Sequence, residues 1–228
     1  MFHLNRRIGA IDKTPAVEVG NNLILAGKLW AIESIDHKKD KVYVIPAIAA
    51  KKPVFLGSGG TIHQKISEKM QEVLCSSNSY SYLNDAATLE LKGLREIYAQ
   101  LGVMPDQRVV FSGKNETLIE LFAGTVISNT LMWMIRAMGV EQVTTTGLDH
   151  IKLAGRQEGI LELLESISNR QWNTQELWDI TFPYEIYRTK FSFYLSEDQQ
   201  KELHVSAMVD VDRTVEFLRG KQFILSRC

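Results

Sequence analysis

Residues 21–60 set cations and an aromatic ring on a frame of short apolar runs. Lys28, Lys38, Lys39, Lys41, Lys51 and Lys52 fall in or beside its turns, and Trp30 stands two positions after Lys28. Ammonium groups on turns neutralise phosphates without reading sequence, and a neighbouring indole offers a stacking surface worth ~1–3 kcal/mol per base. Gly57, Ser58, Gly59 and Gly60 precede a helix signal, where successive backbone amides can form a nest for a phosphate. A flexible linker is the plainer reading of the same glycines. Trp30 also has two readings. Strand alternation puts Lys28, Trp30 and Ile32 on one face; Lys28 favours an exposed indole and Ile32 one that fills a core.

Charge supports a polyanion at the front of the chain. Residues 1–60 hold nine Lys/Arg against five Asp/Glu, a net +4; with −1 on the whole, the remaining 168 residues carry −5. A basic front on an acidic body suits such a partner, although ordinary scatter also produces a difference of this size.

Other chemistries find little footing. No G-x-x-x-x-G-K-[ST] loop and no acidic helicase box occurs, so nothing grips ATP phosphates and magnesium together. The chain is expected not to be an enzyme by itself and to need no cofactor. His3, His37, His63, His150 and His204 show no H-x-x-x-H spacing, and Cys75 and Cys228 no C-x-x-C, which leaves no metal site to expect. Asp149 and His150 fall in a strand pattern where neighbours face opposite ways, so a surface or core-edge histidine is expected there. Cys75 has no adjacent base to activate it. Two cysteines make no disulfide framework, no signal-peptide pattern opens the chain, and no run reaches the ~18 apolar residues of a membrane span. The expectation is a cytoplasmic protein without a membrane partner.

The frame that carries these residues can be read from period and punctuation. Apolar runs at 23–25, 29–32 and 42–45, separated by Gly27 and by the charged turn at 36–41, predict an antiparallel meander. Thr61-x-x-Gln64 predicts a capped helix over 62–74, and the polar stretch at 76–79 ends it. Residues 1–76 are therefore expected to form a small antiparallel β-barrel with an exit helix, and 77–228 an α+β body. In the body the spacing predicts helices over 84–101, 124–138, 160–167 and 210–218, another from Pro183 through Phe191, and capped starts at Asn173 and Ser196. Strand pairs fall at 108–122 and 142–153.

The order of these segments resembles a known family. Ala26-Gly27-Lys28-Leu29-Trp30, the charged turn, Val42-Tyr43-Val44-Ile45-Pro46-Ala47, then Pro53 and the glycines, are similar to the region after the motor of Lhr-type (large helicase-related) helicases, in their DEAD/H-associated C-terminal part. Residues 108–113 with the helix through Ser128-Asn129-Thr130, and residues 190–196, resemble later segments of that part. The likeness covers most of the chain, strongest over 21–60 and weakest over 60–105. It implies a helicase-associated module that contacts single-stranded DNA or RNA, beside a RecA-like motor in the same or a separate chain. The family's strand-contacting tryptophan falls on Trp30. Phe55 stands one place from a family aromatic, and Leu56 takes that aromatic's place. On this reading Trp30 or Phe55 stacks on a base while the six lysines, with Gly59 and Gly60, hold phosphates. A module that docks a motor, repair or defence protein without touching nucleic acid is the alternative.

Overall fold

The computed structural model describes residues 1–4, 6–11, 17–25, 27–37, 39–47, 60–146, 150–189 and 191–227. Two units divide the chain, residues 1–60 and residues 61–228.

In the first unit the three expected strands form: β3 (Asn22–Leu25), β4 (Lys28–Asp36) and β5 (Lys41–Pro46), each antiparallel to the next. Two short strands precede them, β1 (Phe2–His3) and β2 (Arg6–Arg7), which pair as a hairpin. β1 lies parallel to β5, giving the order β2-β1-β5-β4-β3. The expected barrel is therefore not formed. This is an open five-stranded mixed sheet among the described residues, with β2 and β3 as edges. Two-residue strands carry too few ladder bonds to bridge those edges.

One face of the sheet makes a core. Trp30, Ile32 and Val44 are buried with Met1, and Ile8, Ile11, Val17, Leu23, Leu25, Ile35 and Val42 pack around them. A register shift between Ile32 and Ser34 explains how odd-numbered Ile35 joins even-numbered Trp30 and Ile32; one extra residue flips the alternation of the rest of the strand. The opposite face leaves Ile24 and Ile45 exposed.

The second unit is built on a sheet of order β10-β6-β7-β9-β8. Its strands are β6 (Gln107–Ser112), β7 (Glu116–Glu120), β8 (Val143–Thr146), β9 (His150–Ala154) and β10 (Gln222–Arg227). All pairs are antiparallel except β10 with β6. Val110, Ile119, Ile151 and Leu153 point to one face, against α3 (Thr125–Ala137), α4 (Ile160–Asn169) and α7 (Val211–Gly220). Their alternates Val109, Phe111 and Ile224 point to the other, where α1 (Gln64–Leu74) and α2 (Asp85–Leu101) contribute Leu74, Tyr98 and Leu101. Leu131, Met132, Trp133, Met134 and Ile135 are all buried, so α3 is the central helix, flanked also by α5 (Thr174–Asp179) and α6 (Glu197–Met208).

Local signals hold in part. Asn84, Asn173 and Ser196 cap their helices, Ser196 with the complete reciprocal box to Gln199. α1 is capped by His63, whose Nδ1 accepts from the Lys65 amide at 3.2 Å, in place of the Thr61 box. The helix expected from Pro183 through Phe191 is not formed among the described residues; a turn at 183–186 leads into irregular chain, and a 3-10 turn follows at Ser192–Tyr194. Side chains have captured its backbone. The Phe182 amide donates to Glu185 at 3.0 Å and the Tyr187 amide to His204 Nδ1 at 2.9 Å.

Candidate functional site

The first unit holds a cleft of about 590 Å3 on the covered face of its sheet. Local structure explains its lining. The hairpin β1–β2 turns through Leu4, which has φ +47° and is 87% exposed at the tip. His3 is fixed by two contacts: Nδ1 lies 2.9 Å from the Val44 carbonyl oxygen, and the imidazole packs on Trp30 with centroids 5.1 Å apart. Arg6 and Arg7 of β2 line the same cleft as Lys28, which begins β4 just after Gly27, where φ is +73°. Arg6, Arg7 and Lys28 line it together with Ile8, Leu25 and Trp30. No carboxylate lines it among the described residues.

The residues singled out by sequence are not all brought together. Lys28 and Trp30 meet in this cleft. Lys39 and Lys41 lie at the far end of β4, where Lys41 pairs with Asp36, roughly 26 Å of strand from Lys28 at ~3.3 Å per residue. Lys39 stands 4.0 Å from Asp36, and the Lys41 ammonium sits 4.9 Å from the Phe2 ring centroid. Gly60 is exposed, and a Cβ added there would meet nothing within 4 Å. Lys38, Lys51, Lys52, Phe55 and Gly59 lie outside the described residues. Trp30 itself is a core residue, 9% exposed, with Nε1 donating to the Leu25 carbonyl at 3.3 Å. Arg6, Arg7 and His3 are the cleft residues that sequence reasoning missed. The Arg6-Arg7 pair was a visible cationic signal, but its approach to Lys28 depends on the parallel pairing of β1 with β5, which no local pattern announces.

The second unit offers polar clusters of other kinds. A cleft of about 770 Å3 contains Arg170, Trp172 and Arg219, but also Asp212 and Glu216. Arg170 already pairs with Glu176, and Arg219 donates to the Ser168 carbonyl at 2.7 Å. Glu120 Oε1 accepts from the Tyr98 hydroxyl at 2.7 Å and lies 3.2 Å from His150 Nε2. Burial, with the bond to Glu120, pushes the Tyr98 phenol far above its usual range. Burial also raises the Cys75 thiol, with Arg108 opposing, and a thiol kept protonated is a poor nucleophile. Asp149 lies outside the described residues. Among the described residues no three His, Cys, Asp or Glu side chains gather to hold a metal ion, and no helix is long and apolar enough to cross a membrane.

No family model and no curated protein matches the chain. Among solved structures it bears a likeness to the helicase Lhr of Mycobacterium smegmatis bound to ssDNA and AMP-PNP, with a TM-score of 0.44 and 10% identity. That likeness covers 79% of this chain and 32% of the other. Nothing about the chemistry of this chain follows from a likeness of that strength.

Proposed function

We propose that this chain is a helicase-associated nucleic-acid-binding module that contacts a single strand of DNA or RNA through the cleft of its first unit. The observation that carries the reading is that Arg6, Arg7 and Lys28 line one cleft with the His3–Trp30 ring pair, and no carboxylate lines it among the described residues. Three cationic residues in a cleft that also holds apolar side chains suit a phosphate backbone with its sugars or bases. Trp30 acts mainly as the wall that holds the cations in place. Lys39 and Lys41 lie at the β4–β5 turn, Lys41 over the Phe2 ring of the β1–β2 hairpin.

The sequence resemblance centred on Gly27-Lys28-Leu29-Trp30 supports the finer reading: an accessory C-terminal part of an ATP-dependent Lhr-like helicase, working beside a RecA-like motor in the same or a separate chain. On this reading the chain does not itself hydrolyse ATP. Its coupling to ATP runs through contacts with the motor.

The alternative, a docking module, has an observation of its own. α1 buries polar Ser67 and Gln71 while Ile66 and Met70 stay exposed, and α2 leaves Leu94 and Ile97 exposed. Fluorescence anisotropy of a labelled single-stranded oligonucleotide at low salt separates the two readings. The module binds, and Arg6→Ser/Arg7→Ser weakens it about tenfold or more. Absence of binding by the wild type removes the nucleic-acid reading and leaves the docking one.

A further inference from the structure

His3 brings to the cleft a side chain of the type that changes charge between about pH 5 and 8, and the fold sets its tautomer. Its Nδ1 lies 2.9 Å from the Val44 carbonyl oxygen. A carbonyl only accepts, so the ring proton sits on Nδ1. Nε2 is then a lone-pair nitrogen in the neutral imidazole and a second N–H in the imidazolium. Among the described residues Nε2 has no hydrogen-bond partner, although its ring lines the same cleft as Arg6, Arg7 and Lys28.

A proton on Nε2 disturbs nothing that holds the ring. The bond from Nδ1 to Val44 is made in both charge states. Trp30, with centroids 5.1 Å apart, is compatible with a cationic neighbour, because an indole attracts one within about 6 Å. The groups around His3 come from several elements. β2 supplies Arg6 and Arg7, and β4 supplies Lys28. β5 supplies Lys41, 4.9 Å from the Phe2 ring centroid, and Tyr43, the register partner of Phe2. The Met1 amino group donates to the Gly9 carbonyl at 2.7 Å. The described acids of this unit, Glu18, Glu33, Asp36 and Asp40, are absent from the cleft's lining. A phosphate drawn in by the arginines and Lys28 therefore supplies the negative charge that favours an imidazolium beside it.

We propose that His3 takes a proton from solvent onto Nε2 when a single strand enters the cleft, and donates from it to a phosphate oxygen. This rests on the nucleic-acid reading of the cleft and adds regulation by pH to it. Arg6, Arg7 and Lys28 are permanent cations, whereas His3 becomes a fourth only with its proton. Linkage fixes the sign. The complex holds more protons than the free chain, so affinity rises as pH falls. The gain is independent of base sequence, because the contact is to the backbone.

The test uses the whole chain and a labelled oligothymidylate without terminal phosphates, so that the strand itself does not titrate in the range studied. Anisotropy at fixed salt is expected to show roughly fivefold tighter binding at about pH 5.5 than at about pH 7.5. His3→Asn keeps an N–H that can reach Val44 but cannot titrate, and its ratio between the two conditions is expected to fall to about one. His37→Asn, at the exposed β4–β5 turn, is expected to keep the wild-type ratio. Proton NMR of the wild type reads the same event without relying on a variant: the titration midpoint of the His3 ring should move to higher pH when the oligothymidylate is added. Binding by the wild type with no pH dependence, or an equal dependence in His3→Asn, overturns the role of His3 and leaves the three permanent cations standing. A His3 midpoint that the strand leaves unmoved overturns it as well, whether or not the variant folds. Absence of binding at both pH values removes the nucleic-acid reading, and this inference with it.

Discussion

The imidazole of His3 lies on the indole of Trp30, centroids 5.1 Å apart and planes tilted by 56°, and this contact joins the β1–β2 hairpin to the strand that carries Lys28. Because Trp30 is also buried with Ile32 and Val44, the residue that shapes the cleft is the one that fills the core. Trp30→Ala is therefore expected to destabilise the first unit by about 3–5 kcal/mol, in the range for a buried aromatic truncation. Thermal unfolding tracked by a probe in residues 1–47 measures it. An unchanged transition would mean that the indole is not structural.

The Arg136–Glu185 pair is the corresponding anchor of the second unit. Its side chains are only 6% and 12% exposed, and four donor–acceptor contacts converge on Glu185 from Arg136, Trp133 and Phe182. Removing one partner of a buried pair leaves an uncompensated charge, so Arg136→Met should cost about 3–5 kcal/mol in urea unfolding. The double variant Arg136→Met/Glu185→Leu should recover much of that loss. Equal losses in the single and double variants would refute the pairing as the cause.

Acid should weaken the second unit in two stages. Burial lowers the His204 imidazole below its ordinary value of 6.5, with the Glu185 charge opposing. The folded state thus resists a proton that the unfolded chain accepts, and stability falls as pH drops below about 6.5. For Glu185, burial raises the carboxyl, but bonds from Arg136, the Phe182 amide and Trp133 outweigh it and leave it below its ordinary 4.5. Its contribution is complete above that value and is lost as pH falls through it toward the folded value. Urea midpoints between pH 7 and pH 4 should decline throughout, and His204→Gln should remove the upper part of the decline. A midpoint rising over pH 7 to 5 would reverse the sign and contradict the burial of His204.

Gly124 marks a position where only glycine fits. It has φ +80° and ψ 167°, and a Cβ there would lie 2.6 Å from the Ile62 carbonyl oxygen and 2.7 Å from the Gln64 amide nitrogen. The Thr125 amide donates to Ile62 at 3.0 Å, and the Ile62 amide donates to Thr125 Oγ1 at 2.9 Å, so α1 and α3 enter the unit through one crossing. Backbone strain alone makes Gly124→Ala cost about 1–3 kcal/mol, and the clash adds to it. A melting temperature equal to wild type would show that the crossing yields easily.

Much of the local structure could be read from residue order, because periodicity and caps act within a few residues. β3, β4 and β5 match their apolar runs, and Asn84, Asn173 and Ser196 cap as their types suggest. The features that escaped reading were non-local. β10 pairs with β6 across more than a hundred residues, β1 pairs with β5, and the supposed barrel opens because its flanking strands are two residues long. The apolar face read on α2 is also divided: Tyr98 is buried, whereas Leu94 and Ile97 remain exposed. At the site, Lys28 and Trp30 were legible as a pair, but Arg6 and Arg7 join them only through tertiary pairing. Lys39 and Lys41, close to Lys28 in sequence, are carried away by the length of β4.

The most direct measurement of the cleft's role is the salt dependence of single-strand binding, taken as log K against log salt concentration. Each phosphate neutralised contributes a slope of about −0.7 on a single strand. Arg6→Ser/Arg7→Ser/Lys28→Ser should flatten the wild-type slope by about 2, while Lys39→Ser/Lys41→Ser should change it by less. A steep slope that survives loss of Arg6, Arg7 and Lys28 would contradict the account.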